Sequence, residues 1–145
     1  MSAVLVSAAL FAADARAASD LGAKGDVVTY RRHVMKTMGE QAAALGMVLQ
    51  QKGPAENAAI HARTIALTAK AALKAFEPQV QGGEAKAEIW RNWPDFIKRL
   101  QVLSAGADDL AIVAERDGLP AMQAKIMSVL SCKSCHDAYT LRQGR

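Results

Sequence analysis

Two cysteines and a histidine near the C-terminus have the types and spacing of residues that could do chemistry. The segment runs Cys132-Lys133-Ser134-Cys135-His136. Cys-x-x-Cys-His is the attachment signature of c-type haem, in which both thiols become thioethers and the histidine ligates the iron. We therefore predict one covalently bound haem c per chain, attached through Cys132 and Cys135, with His136 as the proximal iron ligand.

The spacing of this motif suits a helix. At about 100° per residue, Cys132, Cys135, His136 and Tyr139 all fall within about 100° of one another around a helix axis. One face of a helix can therefore hold both thioethers and place the histidine beneath the iron.

Two other chemistries also use a Cys-x-x-Cys pair. A redox dithiol sits at the start of a helix in a thioredoxin-like α/β fold, and the hydrophobic pattern here shows no strands. A structural zinc site needs four ligands, and His33 and His61 are distant in sequence from the motif. A haem-free dithiol or zinc-binding bundle is the alternative from another class of protein.

The composition favours helices and a globular chain. Of 145 residues, 51% are hydrophobic, 22% are charged and only 5% are aromatic, which excludes a disordered or multi-span membrane protein. The net charge of +4 is spread along the chain, without the clustered bases and aromatic platforms of nucleic-acid-binding proteins. We expect no nucleic-acid partner.

Four segments have the three-and-four spacing of apolar residues that is typical of amphipathic helices. They are predicted to run from 26, with Asp26 as the cap, to about 52, from 55 to 76, from 94 to the glycine at 118, and from 120 to about 142. The connection at 77–92 is long and of the kind that often covers a site, whereas the other two are short. The pattern predicts an all-α, antiparallel up-down-up-down four-helix bundle that encloses one haem.

The N-terminal segment has the features of an export signal. Residues 3–13 form an apolar run of 11, too short to span a bilayer, and Ala15-Arg16-Ala17 offers the small residues that a signal peptidase recognises. We predict a signal peptide at 1–17, a mature bundle at 18–145, a periplasmic location and no membrane span after cleavage. No basic residue precedes the apolar run, so the true start is expected upstream. A buried or retained N-terminal helix is the alternative.

A protein ligand on the second face of the iron distinguishes an electron carrier from a gas-binding protein. The first and last helices of such a bundle are antiparallel, so the start of one lies beside the end of the other. Met35 and His136 then lie roughly 13 and 9 Å from the same end of the bundle. Met35 is the candidate distal ligand and Met38 is the backup, although methionine in an apolar stripe is ordinarily core packing. His33 is expected to point outward.

Three stretches resemble the cytochrome c-prime family, also called class II c-type cytochromes, and the likeness covers nearly the whole mature chain. They are residues 30–36, 87–90 and 132–139. The resemblance implies a left-handed four-helix bundle with His136 as proximal ligand. In that family, members with an apolar residue at the position of Met35 have five-coordinate, high-spin iron that binds nitric oxide or carbon monoxide. Members with methionine there are low-spin electron carriers.

On this resemblance we predict a periplasmic monohaem electron carrier, not an enzyme, with Met35 as distal ligand and redox proteins as partners. The alternative is a five-coordinate, high-spin protein that binds nitric oxide or carbon monoxide. The resemblance also implies that Arg31 lies near the haem propionates. It further implies a homodimer through the first two helices, where Ala43, Ala44 and Ala62 are small enough for close packing.

The sequence departs from the family pattern at two positions. Thr140 stands four residues after His136, where the family usually has arginine or lysine, and the nearest base is Arg142. Arg32 replaces a usual glutamine. A basic residue on the proximal side of the haem and the usual contacts at its edge are therefore not predicted for this chain.

Overall fold

Helices account for most of the residues that the computed structural model describes, which are 5–141, with side chains described from residue 23 onward. The helices are α1 (Leu5–Leu49), α2 (Ala58–Phe76), α3 (Glu88–Arg91), α4 (Trp93–Asp117), α5 (Leu119–Val129) and α6 (Cys132–Tyr139). A 3₁₀ turn, Ala55–Asn57, precedes α2. Over the described range no β-strand forms, and two isolated bridges join Ala85 to Gly82 and to Thr140. The all-α prediction is confirmed.

Four long helical segments form the predicted bundle, with α5 and α6 together as the fourth. α1 packs against α2, α2 against α4, and α4 against α5, while α3 lies against α6. The short connections after α1 and α4 reverse the chain, so that α1 is antiparallel to α2 and α4 is antiparallel to α5. After α1 the chain turns at Gln51, whose φ is 59° and whose N–H donates to the Val48 carbonyl at 2.9 Å. Gly118, with φ of 83°, separates α4 from α5.

The core combines small residues of α2 with larger apolar residues of its neighbours. The alanines of α2 that are fully buried are Ala62, Ala66, Ala69 and Ala72, and they let the adjacent helices approach closely. Leu45 of α1 and Leu110 of α4 are also fully buried. The expectation that Ala62 offers a contact to a second copy is therefore wrong, because α2 lies between α1 and α4 and turns its alanine stripe inward.

α1 differs from the predicted first helix at both ends. It runs from Leu5 to Leu49 without a cap at Asp26, because the preceding residues are rich in alanine and contain no proline. The predicted signal peptide remains a prediction, since residues 1–4 lie outside the described residues and the side chains of 5–22 are not described. Among the described helices, none has both the length and the apolar character needed to cross a membrane.

The predicted fourth helix is interrupted just before the cysteine motif. Leu130 has φ −86° and ψ 63°, and the Ser131 N–H donates to the Val129 carbonyl at 3.0 Å, which together form an inverse γ-turn. α6 then starts at Cys132 and ends at Tyr139, and Arg142, where the predicted helix was to end, lies outside the described residues. The motif therefore occupies a separate helix of eight residues.

Candidate functional site

The side chains of the cysteine motif lie along one side of α6, from the surface to the core. Cys132 is exposed, Cys135 and His136 are half-buried, and Tyr139 is buried. No disulfide joins the two cysteines, and desolvation raises the pKa of each thiol. At Cys135 the nearby positive charge of Arg99 on α4 acts in the opposite direction. Cys135 and Tyr139 therefore pack against the core, whereas Cys132 lies at the surface.

The zinc alternative requires further histidine, cysteine or acidic ligands close to the cysteine motif. Among the described residues, no three histidine, cysteine or acidic side chains are grouped so that they could hold a metal ion. His33 is exposed on α1, and His61 Nδ1 hydrogen-bonds to Gln41 Oε1 at 2.7 Å between α2 and α1. Neither histidine belongs to a ligand set with the cysteines, so the described residues do not form a zinc site.

Arg31 is a buried cation without an anion. Its side chain is 3% exposed, and neither Nη1 nor Nη2 has a hydrogen-bond partner. The guanidinium lies 5.1 Å from the ring centroid of Phe76 and 5.3 Å from that of Trp90, and burial lowers its pKa. A guanidinium binds a carboxylate through two parallel hydrogen bonds, and burying it unpaired is unfavourable. A haem propionate is such a carboxylate, so the residues present fit the cofactor.

Met35 and Met38 of α1 are both in contact with the apolar core but differ in burial. Met35 is half-buried and packs against the core, whereas Met38 is 6% exposed and belongs to the core itself. The contact between Gln41 and His61 marks the flank of α1 that faces α2. Met35 is about 120° from Gln41 around the helix, so the two side chains lie on different flanks of α1.

The long connection between α2 and α3 spans from α1 to α6. At its glycine turn, a Cβ added to Gly82 or Gly83 would meet the Val28 side chain of α1 at 3.0 or 3.1 Å. On the other side, the Lys86 N–H donates to the Tyr139 carbonyl at 3.0 Å and Lys86 Nζ donates to the Asp137 carbonyl at 2.9 Å. The connection therefore closes the end of the bundle that carries Arg31 and α6.

A polar cluster that the sequence did not reveal joins α6 to α4. The Tyr139 hydroxyl donates to Asp95 Oδ2 at 2.6 Å, and Arg99 Nε donates to the same oxygen at 2.6 Å. These two hydrogen bonds lower the pKa of Asp95, that from Tyr139 most, and burial together with Asp95 raises the pKa of Tyr139. The spacing of Asp95 and Arg99, one turn apart on α4, was the only local signal of this cluster.

The family model for cytochrome C' matches residues 26–140. A cytochrome c' from Alcaligenes xylosoxydans xylosoxydans is 32% identical over 117 residues, which cover 79% of this chain and 92% of the relative. One from Rhodospirillum rubrum is 28% identical over 144 residues, which cover 96% of this chain and 98% of the relative.

Solved structures of the same family share the fold. The nitric oxide complex of a leucine-to-valine mutant of cytochrome c prime from Alcaligenes xylosoxidans has a TM-score of 0.73 and 26% identity, covering 82% of this chain and 97% of that chain. A carbon monoxide-bound variant of that protein matches with the same TM-score, identity and coverage. The four-helix bundle is therefore confirmed, and so is haem c, which members of this family carry covalently.

These relatives overturn one prediction. The expectation of a low-spin electron carrier, with Met35 as a second iron ligand beside His136, is wrong, because the matching solved structures are of cytochromes c' with nitric oxide or carbon monoxide bound. A thioether on the iron would occupy the coordination position that a gas needs. Methionine in an apolar helical stripe is ordinarily a packing residue, and Met35 does pack against the core.

Proposed function

The chain belongs to the cytochrome c' family, and from this we propose that it binds nitric oxide or carbon monoxide at a five-coordinate, high-spin haem iron. The observation that carries the proposal is that solved relatives with this fold hold those two gases. Haem c supplies an iron with one open coordination position for a diatomic gas. The proposed role is gas binding rather than catalysis, so we do not propose an enzyme.

The residues of the site have distinct roles in this proposal. Cys132 and Cys135 hold the haem through thioethers, and His136 is the protein ligand of the iron. Arg31 holds a propionate, which is supported by its two buried, unpartnered nitrogens and by the rings that fix its guanidinium. Met35 would be an apolar residue beside the bound haem, where its bulk would limit the access of a gas without a bond to the iron.

Spectroscopy of the purified holoprotein tests the proposal. We expect a high-spin ferric electron paramagnetic resonance signal and saturable binding of carbon monoxide and nitric oxide by the ferrous protein. Cys132→Ala/Cys135→Ala is the control that should lose covalent haem and its spectrum. A low-spin ferric spectrum that Met35→Leu converts to high-spin would contradict the proposal.

We also propose that residues 1–17 direct export to the periplasm. The support is the apolar run at 3–13 followed by the small residues of Ala15-Arg16-Ala17. N-terminal sequencing of the haem-loaded protein tests this, with Ala18 as the expected first residue. A chain that retains residues 1–17 would contradict it.

A homodimer through α1 and α2 is the partner that we propose. The support is a set of large apolar side chains that these helices leave exposed: Met47 at 52%, Ile60 at 59% and Leu67 at 62%. Ala43 is also exposed, so its small side chain allows a second helix to approach. Burial of such apolar surface against a second copy is favourable by about 25 cal/mol per Å² before the costs of association.

A further inference from the structure

α6 is a short helix whose orientation α5 does not dictate. The turn at Leu130 interrupts helical hydrogen bonding between the two, so the rotation of α6 about its own axis depends on contacts made elsewhere. α6 has eight residues and carries both cysteines and His136. A helix of this length is too short to be stable by itself in water, so its setting must come from tertiary contacts.

Besides the bonds from Lys86 to its backbone carbonyls, α6 is held on its buried side through the side chain of Tyr139. Its hydroxyl donates to Asp95 Oδ2 at 2.6 Å and accepts a hydrogen bond from Asn92 Nδ2 at 3.2 Å. Its ring meets the edge of Phe96, with centroids 5.3 Å apart and planes at 86°. Ring and hydroxyl are thus both held by α4 and the residue before it, so this side chain has one defined position.

Arg99 fixes the acceptor that holds Tyr139. Its Nε donates to Asp95 Oδ2 at 2.6 Å, and its guanidinium lies 5.7 Å from the centroid of the Tyr139 ring. Asp95 and Arg99 are one turn apart on α4, so the carboxylate that receives the tyrosine hydroxyl is itself oriented by a residue of the same rigid helix. The three side chains form a closed arrangement in which each contacts the other two.

We propose that Asp95, Arg99 and Tyr139 form a positioning unit that sets the rotation of α6 and thereby aims the imidazole of His136 at the haem iron. Tyr139 follows His136 by three residues and projects within about 60° of it around the helix, so any rotation of α6 moves both side chains together. This rests on the proposed function, since a five-coordinate iron has His136 as its one protein ligand. None of the three residues is itself a ligand.

Resonance Raman spectroscopy of the ferrous holoprotein tests the unit through the iron–histidine stretching band. Tyr139→Phe removes only the hydroxyl and keeps the ring on Phe96, and Asp95→Asn weakens the same contact from the other side. We expect both variants to shift or broaden the band. We expect the double variant to change it no more than the larger single effect, because both substitutions break one shared interaction.

Arg63→Gln is the matched control. It breaks another arginine–carboxylate pair, which joins α2 to α4 and in which Arg63 donates to the two oxygens of Glu115 at 2.5 and 2.8 Å. The control should leave the band unchanged. A band identical to wild type in Tyr139→Phe and Asp95→Asn, with only a lower melting temperature, would overturn the proposal. So would a band that Arg99→Gln moves but Tyr139→Phe does not, since that pattern reports charge alone.

The proposed function and the positioning unit can fail separately. A six-coordinate wild-type protein would contradict gas binding at an open iron position, and the setting of His136 would then be measured from the g-values of the ferric low-spin signal. Those values should differ between wild type and Tyr139→Phe, and equal values would overturn the unit. If Asp95→Asn does not fold, Tyr139→Phe alone decides the outcome, because it leaves the packing of the ring intact.

Discussion

Arg31 shows at the residue scale how a side chain can indicate a missing partner. Two aromatic rings and the core surround it, yet its terminal nitrogens have no acceptor. An unpaired buried cation is among the more destabilising features a fold can contain. Trp90 is itself fixed, because its Nε1 donates to the Phe76 carbonyl at 3.0 Å. The rings therefore hold the guanidinium in a set position, which is what binding of an anion requires.

We expect Arg31→Met to lower the reduction potential of the holoprotein by tens of millivolts. Removal of a positive charge near the haem favours the ferric state, and about 59 mV corresponds to a tenfold change for one electron. Potentiometric titration measures the shift. Arg116→Met is the control, since Arg116 is exposed and paired with Asp117 at 2.8 Å. An unchanged potential together with a higher melting temperature would mean that Arg31 has no anion partner in the loaded protein.

Met35 and Met38 are adjacent on α1 and have different surroundings. Met38 is enclosed by the core at 6% exposure, whereas Met35 is half-buried at the edge of the core. We expect Met35→Ala to speed carbon monoxide association, because a smaller side chain opens the distal side. A change of about 1.4 kcal/mol in the barrier is tenfold in rate. Flash photolysis measures it.

Met38→Leu is the companion to Met35→Ala. A volume-conserving substitution in the core costs less than about 1.5 kcal/mol and should leave the association rate unchanged. If Met38→Leu changes the rate and Met35→Ala does not, the distal residue is Met38 and the assignment to Met35 is wrong.

At the scale of elements, helix spans could be predicted where the chain carries local signals. The bounds of α2 and α4 follow from their apolar stripes and from Pro94 and Gly118, which mark the ends of α4. The break at Leu130 could not be predicted, because its turn contains no glycine or proline. The contact between Asp95 and Tyr139 joins residues 44 positions apart, so no pattern along the chain reports it. The cysteine motif, by contrast, is complete within five residues.

Gly106 sets how closely α5 can approach α4. A Cβ added there would meet Val129 Cγ1 at 2.8 Å, and valine has little rotamer freedom with which to move away. We expect Gly106→Ala to lower the free energy of unfolding by about 1–3 kcal/mol. Gly39→Ala on α1 meets no atom within 4 Å and should raise it by about 0.5–1 kcal/mol. Denaturant unfolding of the holoprotein compares them, and equal stabilisation by both would contradict the close contact.

For the whole molecule, the low aromatic content and the many alanines indicate a bundle of closely packed helices. Aromatic residues are only 5% of the chain. Several of them cluster at one end of the bundle, where the ring of Phe96 contacts those of Phe76, Trp93 and Tyr139. Elsewhere alanines fill the core, which brings the helices close together. The sequence could therefore predict the bundle and its covalent cofactor, but not the iron coordination, since a methionine in a helical stripe has the same pattern as ligand or as packing.

Association of two copies depends on the outer surface of the bundle. A substitution there can therefore disrupt the dimer without changing the haem site. Leu67 on α2 and Val102 on α4 are both 62% exposed, so glutamate at either position meets a similar degree of solvation in the monomer. If α1 and α2 form the dimer interface, Leu67→Glu places two like charges in it and should shift the protein to monomer in sedimentation equilibrium. Val102→Glu should leave the dimer intact, and both variants should keep the wild-type haem spectrum. Dissociation by Val102→Glu alone would place the interface on α4.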